Sequence, residues 1–124
     1  MEQKFYKCEI CGQMIEKVKE TAVPVMCCGK PMTELVPGTT DASLEKHVPV
    51  YKVENNVVKV NIGSVDHPMI EEHYIEWISL QTEQGTQRKL LTPNSNPYVE
   101  FTINKNDKVV CVLAYCNLHG LWKA

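Results

Sequence analysis

Four cysteines in two close pairs constrain the N-terminal part of this chain more than any other feature of the sequence. Cys8 and Cys11 form a C-x-x-C motif, and Cys27 and Cys28 are direct neighbours. A disulfide between adjacent cysteines would be strained, and so would one across a C-x-x-C loop. A redox C-x-x-C of the thioredoxin type needs a βαβ context, which this sequence lacks. Four thiolates in two pairs are instead the donor set of a tetrahedral metal site.

A metal would also account for the folding of this segment, because residues 1–36 contain only scattered apolar positions. Chains shorter than about 40 residues usually need a metal, a disulfide or a partner to fold. Metal binding would therefore supply much of the folding free energy here. Zinc and iron both fit four thiolates, and the spacing does not choose between them. We predict a small metal-binding domain over residues 1–37, followed by a turn at Val36–Thr40.

Strand signals dominate the predicted second domain, residues 38–124. Val48–Val53 and Val57–Ile62 alternate on either side of a turn that contains asparagine, which is typical of a β-hairpin. Only Asp41–Lys46 has helix-like local chemistry, and it is too short to form a helix by itself. Six or seven short strands at regular spacing predict an antiparallel β-sandwich. Two further strand pairs are predicted, Tyr74–Thr82 with Thr86–Leu91 and Tyr98–Ile103 with Lys108–Tyr115.

A second donor set is spread along this domain. Cys116 and His119 lie three positions apart after the last predicted strand, and His47, His67 and His73 lie upstream at strand ends or in loops. Thiolate and imidazole select transition metals over calcium or magnesium. Structural zinc normally takes four ligands, so five donors suit a redox metal with one open position, and iron is the leading candidate. A single histidine at a strand end is more often a surface or core residue, and periodicity alone does not make these segments converge.

Alternation along two predicted strands indicates which side chains share a face. Cys111 belongs to neither donor set and falls on the face opposite Cys116, which favours a buried or interface apolar residue over a reactive thiol. The predicted shared faces group His73 with Ile75 and Trp77, and Cys116 with Val110, Val112 and Ala114.

Composition excludes several classes of function. The net charge is −2 and no segment concentrates Lys and Arg, which argues against a nucleic-acid partner. No apolar run approaches the ~20 residues of a membrane helix, and the first residues lack the apolar core of a secretory signal. We therefore expect a cytoplasmic protein with reduced thiols, in which six cysteines favour metal ligation over disulfides.

Four runs of this sequence closely resemble the superoxide reductases. The cysteine-rich start resembles the desulforedoxin domain of the two-iron members, the desulfoferrodoxins, so the resemblance covers nearly the whole chain. It implies an immunoglobulin-like β-sandwich, a homodimer, and the one-electron reduction of superoxide to hydrogen peroxide. The runs are Glu45–Val50, Val65–Met69, Glu72–Trp77 and Tyr115–Trp122.

The resemblance also assigns roles to residues. It implies one iron held by the four N-terminal cysteines, and a second iron with Cys116 as its axial ligand and His47, His67, His73 and His119 in a plane. Lys46 is the candidate for guiding superoxide and orienting a proton-delivering water. Glu45 is the candidate ligand to ferric iron once the product has left, and a rubredoxin-like protein is the expected electron donor. Two rival interpretations are a non-catalytic electron carrier with both irons and a zinc-ribbon interaction module.

Overall fold

The chain divides into two compact units, which this computed structural model describes over residues 2–124. The first unit ends at Val36 and the second runs from Pro37 to Ala124. Within the described residues, none of the helices is both long and apolar enough to cross a membrane.

The first unit is built from very short strands and has a small apolar core. Among the described residues, its buried cluster contains Tyr6, Cys8 and Met32, with Ile15 and Cys27 packed against it. So little burial is consistent with a unit that depends on a metal for stability. One sheet has the order β2-β1-β5, and β3 pairs with β4. The strands are β1 (Phe5–Lys7), β2 (Met14–Glu16), β3 (Met26–Cys27), β4 (Lys30–Pro31) and β5 (Thr33–Glu34).

The second unit is an antiparallel β-sandwich preceded by one turn of helix. Its two sheets have the strand orders β10-β7-β6 and β12-β11-β8-β9. The prediction of a mainly β chain, with a small cysteine-rich unit before an antiparallel sandwich, is confirmed. The elements are α1 (Leu44–His47), β6 (Pro49–Glu54), β7 (Val57–Ile62), β8 (Ile75–Thr82), β9 (Gly85–Leu90), β10 (Tyr98–Thr102), β11 (Val109–Cys116) and β12 (Gly120–Lys123).

The core of the sandwich lies between these two sheets. In β7, alternate residues Val58, Val60 and Ile62 are fully buried, as expected for a strand with one face toward a core. Phe101 of β10 and Val112 of β11 belong to the same cluster. The metal-ligand candidates at the ends of these strands are therefore mounted on a rigid scaffold.

The predicted pairing of the last two long strands is wrong. β10 pairs with β7 and β11 pairs with β8 and β12, so the segment between them crosses from one sheet to the other. Turn chemistry at residues 104–107 is local and does not select a partner strand. The sequence interpretation also missed β12, which follows the Cys116–His119 turn and pairs with the end of β11.

Two irregularities in the pairing of β11 with β8 place some residues on a different face of their strand from the predicted one. A shift between Val109 and Cys111 leaves Val110 44% exposed, whereas Val112, Ala114 and Cys116 lie in the core as predicted. A second shift, between Tyr115 and Cys116, places Ile75 in the core cluster while Trp77 stacks on Tyr115 outside it. His73 precedes the strand and forms an isolated bridge with Ile70. Extra residues in a bulge reverse the inside–outside alternation beyond them.

Candidate metal centres

The four cysteines of the first unit converge as the sequence predicts. Their sulfur atoms all lie within 4.8 Å of one another, and Sγ of Cys11 is 3.6 Å from Sγ of Cys27. The backbone N–H of Cys11 donates to Sγ of Cys8 (3.5 Å), and that of Gln13 donates to Sγ of Cys11 (3.4 Å). Gly12 between them has a positive φ of 81°, a conformation that glycine adopts without steric cost.

The thiols of this cluster have strongly different pKa values. Backbone N–H groups of Cys11 and Ile10 lower the pKa of Cys8 to about 6, because they stabilise the thiolate. Hydrogen bonds with Cys11 and Cys8 raise the pKa of Cys27 to about 12. Four crowded sulfurs therefore do not all ionise unless a cation neutralises them, which is the role of the metal in a tetrathiolate site.

The second candidate centre collects side chains from separate loops at the strand ends. His47 ends α1, His67 precedes Pro68, His73 lies in the isolated bridge, and Cys116 ends β11. Their ligand atoms lie within 4.8 Å of one another. The fold thus brings together residues that are up to 69 positions apart in the chain.

His119, from the turn between β11 and β12, lies next to this cluster but outside the four residues whose ligand atoms are all within 4.8 Å of one another. Its Nδ1 atom lies 3.1 Å from Nε2 of His47 and 3.9 Å from Sγ of Cys116. Around the ring of four histidines, neighbouring imidazole centroids are 4.6 Å (His47–His67), 4.6 Å (His67–His73), 5.0 Å (His73–His119) and 4.9 Å (His47–His119) apart. The diagonal from His47 to His73 is 6.3 Å, so the four rings lie at the corners of an approximate square.

Hydrogen bonds at the outer ring nitrogens determine which histidine nitrogens face the centre. Nδ1 of His47 donates to the carbonyl oxygen of Ser43 (2.7 Å), and Nδ1 of His67 donates to that of Pro68 (2.7 Å). Because a carbonyl can only accept, each proton lies on Nδ1 and each Nε2 carries a lone pair. These two Nε2 atoms face each other at 3.1 Å.

Bare lone pairs at this distance repel unless a cation lies between them. Nε2 of His73 supports the same conclusion, because it is buried and has no hydrogen-bond partner. The Nε2 atoms of His47 and His67, 3.1 Å apart, can both lie about 2.0–2.1 Å from one ion, the distance at which imidazole nitrogens bind zinc. The residues present therefore fit a transition-metal ion.

Burial keeps the histidine donors in the form that binds metal. It lowers the pKa of His47 and His73, and lowers that of His67 to about 4, so the rings are neutral at pH 7. Burial raises the pKa of the Cys116 thiol, while backbone N–H groups of His119 and Leu118 oppose this by stabilising the thiolate. Metal binding would favour the thiolate further.

Glu45 and Lys46 lie exposed on α1, directly before the first histidine ligand. Burial lowers the pKa of both His47 and His73, and the charges of His119 and then of Lys46 lower it further. The carbonyl oxygen of Glu45 accepts hydrogen bonds from the N–H of Val65 (2.9 Å) and the hydroxyl of Ser64 (3.2 Å). The turn that carries both candidate catalytic residues is therefore bonded to the loop before His67.

Sequence reasoning missed Trp122 and Asn117 as parts of this centre. Trp122 lies in the unpredicted strand β12 and is almost completely buried against His47. Asn117 lies between Cys116 and His119 in the sequence. Its polar side chain beside two predicted ligands was the only sign in the sequence that it belongs to this centre. Cys111 is buried and lies 3.8 Å from Oε1 of Gln81, away from both sets of donors.

Comparison with known proteins matches both units. A family profile described as desulfoferrodoxin covers residues 39–124, and one described as the desulfoferrodoxin N-terminal domain covers residues 1–35. The chain is 47% identical to a desulfoferrodoxin of Nitratidesulfovibrio vulgaris over 121 residues, which is 98% of this chain and 94% of that one.

Solved structures named as superoxide reductases share the fold. The crystal structure from Treponema pallidum has a TM-score of 0.85 and 36% identity, and the match covers 100% of this chain and 99% of that one. A one-iron protein from Giardia intestinalis has a TM-score of 0.55 and 34% identity, covering 64% of this chain and 95% of that one.

A cysteine-rich unit followed by a sandwich with a histidine and cysteine cluster at its strand ends defines a non-haem metalloprotein with two centres. The chain belongs to the desulfoferrodoxin family. Its two clusters match the two iron centres of that family, which confirms the predicted pair of iron sites.

Proposed function

We propose that this protein is an oxidoreductase, a superoxide reductase that converts superoxide to hydrogen peroxide at the histidine and cysteine centre. The donor set carries the proposal: three imidazoles that burial keeps neutral, the imidazole of His119 next to His47, and one thiolate. Iron, when bound, would supply the single electron and an open position for a small anion. Two protons complete the conversion, and they come from water.

The charge of the donors favours this centre over the tetrathiolate one as the site of reaction. One thiolate leaves a divalent ion with a net positive charge, whereas four thiolates make the same ion negative. An anionic substrate is attracted to the first centre and repelled by the second. Neutral imidazoles also favour the ferrous state more than thiolates do, so the histidine centre would be the better oxidant.

Lys46 is proposed to guide superoxide and to hold the water that delivers a proton. It is exposed on the helical turn that ends at His47, and its charge makes a small contribution, after burial and the charge of His119, to the lowered pKa of His47 and His73. Glu45, on the same turn, offers a carboxylate as a ligand once the product has left. The Cys116 thiolate would help to hold the iron and would donate electron density to it, as thiolates do in haem enzymes.

We further propose a rubredoxin-like electron donor, a homodimer and a cytoplasmic location, as the family membership and the set of free thiols suggest. The tetrathiolate centre has two candidate roles, electron relay and stabilisation of its unit. Its exposed cysteines, Cys11 and Cys28, suit electron entry, while the small core of the unit suits a structural role.

The test of the catalytic assignment is Lys46→Ala. The variant should keep the absorption of both iron centres and react with superoxide about 10-fold more slowly, or worse, at low salt, because electrostatic steering is lost. Lys105→Ala removes the same charge from the exposed turn before β11 and serves as the control. If Lys46→Ala reacts as fast as the parent, the steering role of Lys46 is rejected. If Lys105→Ala slows the reaction as much as Lys46→Ala does, the slower rate is due to the change in net charge and not to the position of Lys46.

The products distinguish the reductase from other activities. The purified protein should contain two irons per chain and consume superoxide with formation of peroxide and without dioxygen. Release of dioxygen would indicate a dismutase, and no consumption of superoxide would indicate an electron carrier. A colourless zinc protein would support an interaction module instead.

A further inference from the structure

The ring of His73 lacks the outer hydrogen bond that orients two other histidines of the centre. His47 and His67 each donate from Nδ1 to a backbone carbonyl oxygen at 2.7 Å. Within residues 2–124, no protein hydrogen bond reaches the His73 ring, and its buried Nε2 has no partner. Metal-binding histidines almost always have such an outer bond, because it fixes the ring orientation. Among the described residues, the contacts of its backbone are what the protein provides to hold this corner of the square.

The side chain of Asn117 forms hydrogen bonds with the main chain on both sides of His73. Its Nδ2 donates to the carbonyl oxygen of Glu72 (3.0 Å), and its Oδ1 accepts from the N–H of Tyr74 (3.0 Å). The backbone N–H of Asn117 also donates to the carbonyl oxygen of Tyr74 (3.2 Å). One residue thus binds the peptide groups that flank His73 on either side.

Asn117 also follows Cys116 directly in the chain, so these bonds tie two ligands together. The other bonds of His73 are two backbone bonds to Ile70, both 3.1 Å, and they lie within the same short loop. The same loop is also bonded to the segment before β10, because the carbonyl oxygen of Met69 accepts from the N–H of Asn94 (2.6 Å). The three bonds of Asn117 add a direct link between the residues beside His73 and the residue that follows Cys116.

We propose that Asn117 is a positioning residue that fixes His73 relative to Cys116 in the histidine and cysteine iron centre. The inference rests on the metal centre that underlies the proposed function, and it does not depend on the reaction with superoxide. Loss of an outer-shell partner typically costs 10–100-fold in metal affinity, so a measurable effect on iron retention is expected.

Asn117→Asp and Asn117→Ala test the proposal in the full iron-loaded chain. Asn117→Asp keeps the acceptor for Tyr74 but places a carboxylate oxygen against the carbonyl of Glu72, and Asn117→Ala removes both side-chain bonds. Each variant should release iron from the histidine centre to a chelator about 10-fold faster or more. The thiolate-to-iron absorption band of that centre should shift, while the tetrathiolate band of the same chain stays unchanged and serves as an internal reference.

Asn104→Asp is the matched control. Asn104 lies in an exposed turn, and its Nδ2 donates to Oε1 of Gln84 at 3.0 Å, so the same change removes a hydrogen bond and adds a charge away from both centres. Iron release from this variant should equal that of the parent. Parent-like release from both Asn117 variants would overturn the proposal, and so would equally fast release from Asn104→Asp.

A His73→Ala background separates positioning from general destabilisation. If Asn117 acts through His73, Asn117→Ala should not accelerate iron release further once His73 is gone. Fully additive effects would overturn the proposal. In the iron-free chain, amide exchange at Tyr74 should be faster in Asn117→Ala than in the parent, and unchanged exchange would also count against it. A chain that passes these tests but fails to reduce superoxide would reject only the proposed function.

Discussion

The indole ring of Trp122 stacks on the imidazole ring of His47, with centroids 4.8 Å apart and planes inclined by 29°. Its Nε1 atom donates to the carbonyl oxygen of His119 at 3.0 Å. Trp122 is 1% exposed, so a single buried side chain contacts two neighbouring corners of the histidine square.

Trp122→Phe should therefore disturb the iron centre as well as the core. Phenylalanine keeps an aromatic ring beside His47 but removes the donor to His119 and leaves a cavity. We expect a shifted absorption band at the histidine centre and a loss of about 1–3 kcal/mol in the free energy of unfolding, less than the ~3–5 kcal/mol of Trp→Ala. Trp77→Phe is the control, since Trp77 stacks on Tyr115 instead (5.7 Å, 12°). The prediction fails if both variants, or neither, change the spectrum.

Gly63 allows the loop before His67 to lie directly against the turn that carries Glu45 and Lys46. A Cβ atom at this position would lie 2.6 Å from the carbonyl oxygen of Glu45 and 2.9 Å from that of Val48. Gly63→Ala should lower the free energy of unfolding by about 1–3 kcal/mol, as overpacking does, and should slow the reaction with superoxide by displacing Lys46.

Gly85→Ala is the control for this change, because a Cβ there meets no atom within 4 Å. Urea unfolding and stopped-flow kinetics measure the two effects. Equal stability of Gly63→Ala and Gly85→Ala would show that the backbone contact at Gly63 has no energetic importance.

Removal of one thiolate should affect only the first centre. Cys28→Ser should abolish the tetrathiolate absorption and accelerate amide exchange in β1, because the apolar cluster in the described part of that unit is small. The histidine centre should keep its spectrum, since the sandwich has a separate core. Turnover with an electron donor then distinguishes the two roles of the first centre: a slower rate supports a relay, and an unchanged rate supports a structural role. Loss of both spectra would contradict the prediction.

Glu54 provides a pH-dependent contribution to the stability of the β6–β7 hairpin. Hydrogen-bonded ion pairs with Lys59 (2.8 Å) and Lys52 (2.9 Å) lower the pKa of Glu54 to about 2. Because this folded-state pKa lies below the ordinary value of 4.5, the contribution is fully present above pH ~4.5 and is lost as the pH falls through about 2. The pair is exposed, so the contribution is small and screened by salt.

Glu54→Gln should therefore lower the urea midpoint at pH 7 and low salt, and the difference should shrink in acid and at high salt. Glu83→Gln, at the tip of another hairpin, has no ion pair in the described part of the chain and should match the parent. A difference that persists at 1 M salt would assign the effect to packing and not to charge.

The turns of the hairpins could be predicted from the sequence, but the partner with which each strand pairs in the sheets could not. The strands on either side of Asn55 form as expected, with Asn55 itself in the left-handed region at φ 57°. The link between β10 and β11 has equally clear turn residues, yet it joins strands of different sheets. Burial of Val99 and Phe101 beside β7 decided that pairing, and this is a long-range effect.

The donors of both centres were identifiable because thiolate and imidazole are chemically specific, and close spacing of the cysteines already implies a shared metal. Convergence of the histidines could not be predicted in this way, because the loops that join His47, His67 and His73 follow paths that depend on how the two sheets pack. Family resemblance implied the assembly, but alternation along the strands gave no indication of it and misplaced Trp77 and Val110 at two bulges.

The amino-acid sequence alone determined which atoms could bind metal, the mainly β character, and the need of the first unit for a metal in place of a large core. Only the tertiary structure decided that the four imidazole rings lie in an approximate square and that two unprotonated nitrogens face each other at 3.1 Å. It also decided that Asn117 forms hydrogen bonds with the peptide groups on both sides of His73. The physical reason is that residue chemistry is local, whereas these contacts join segments dozens of positions apart and exist only when both sheets are packed.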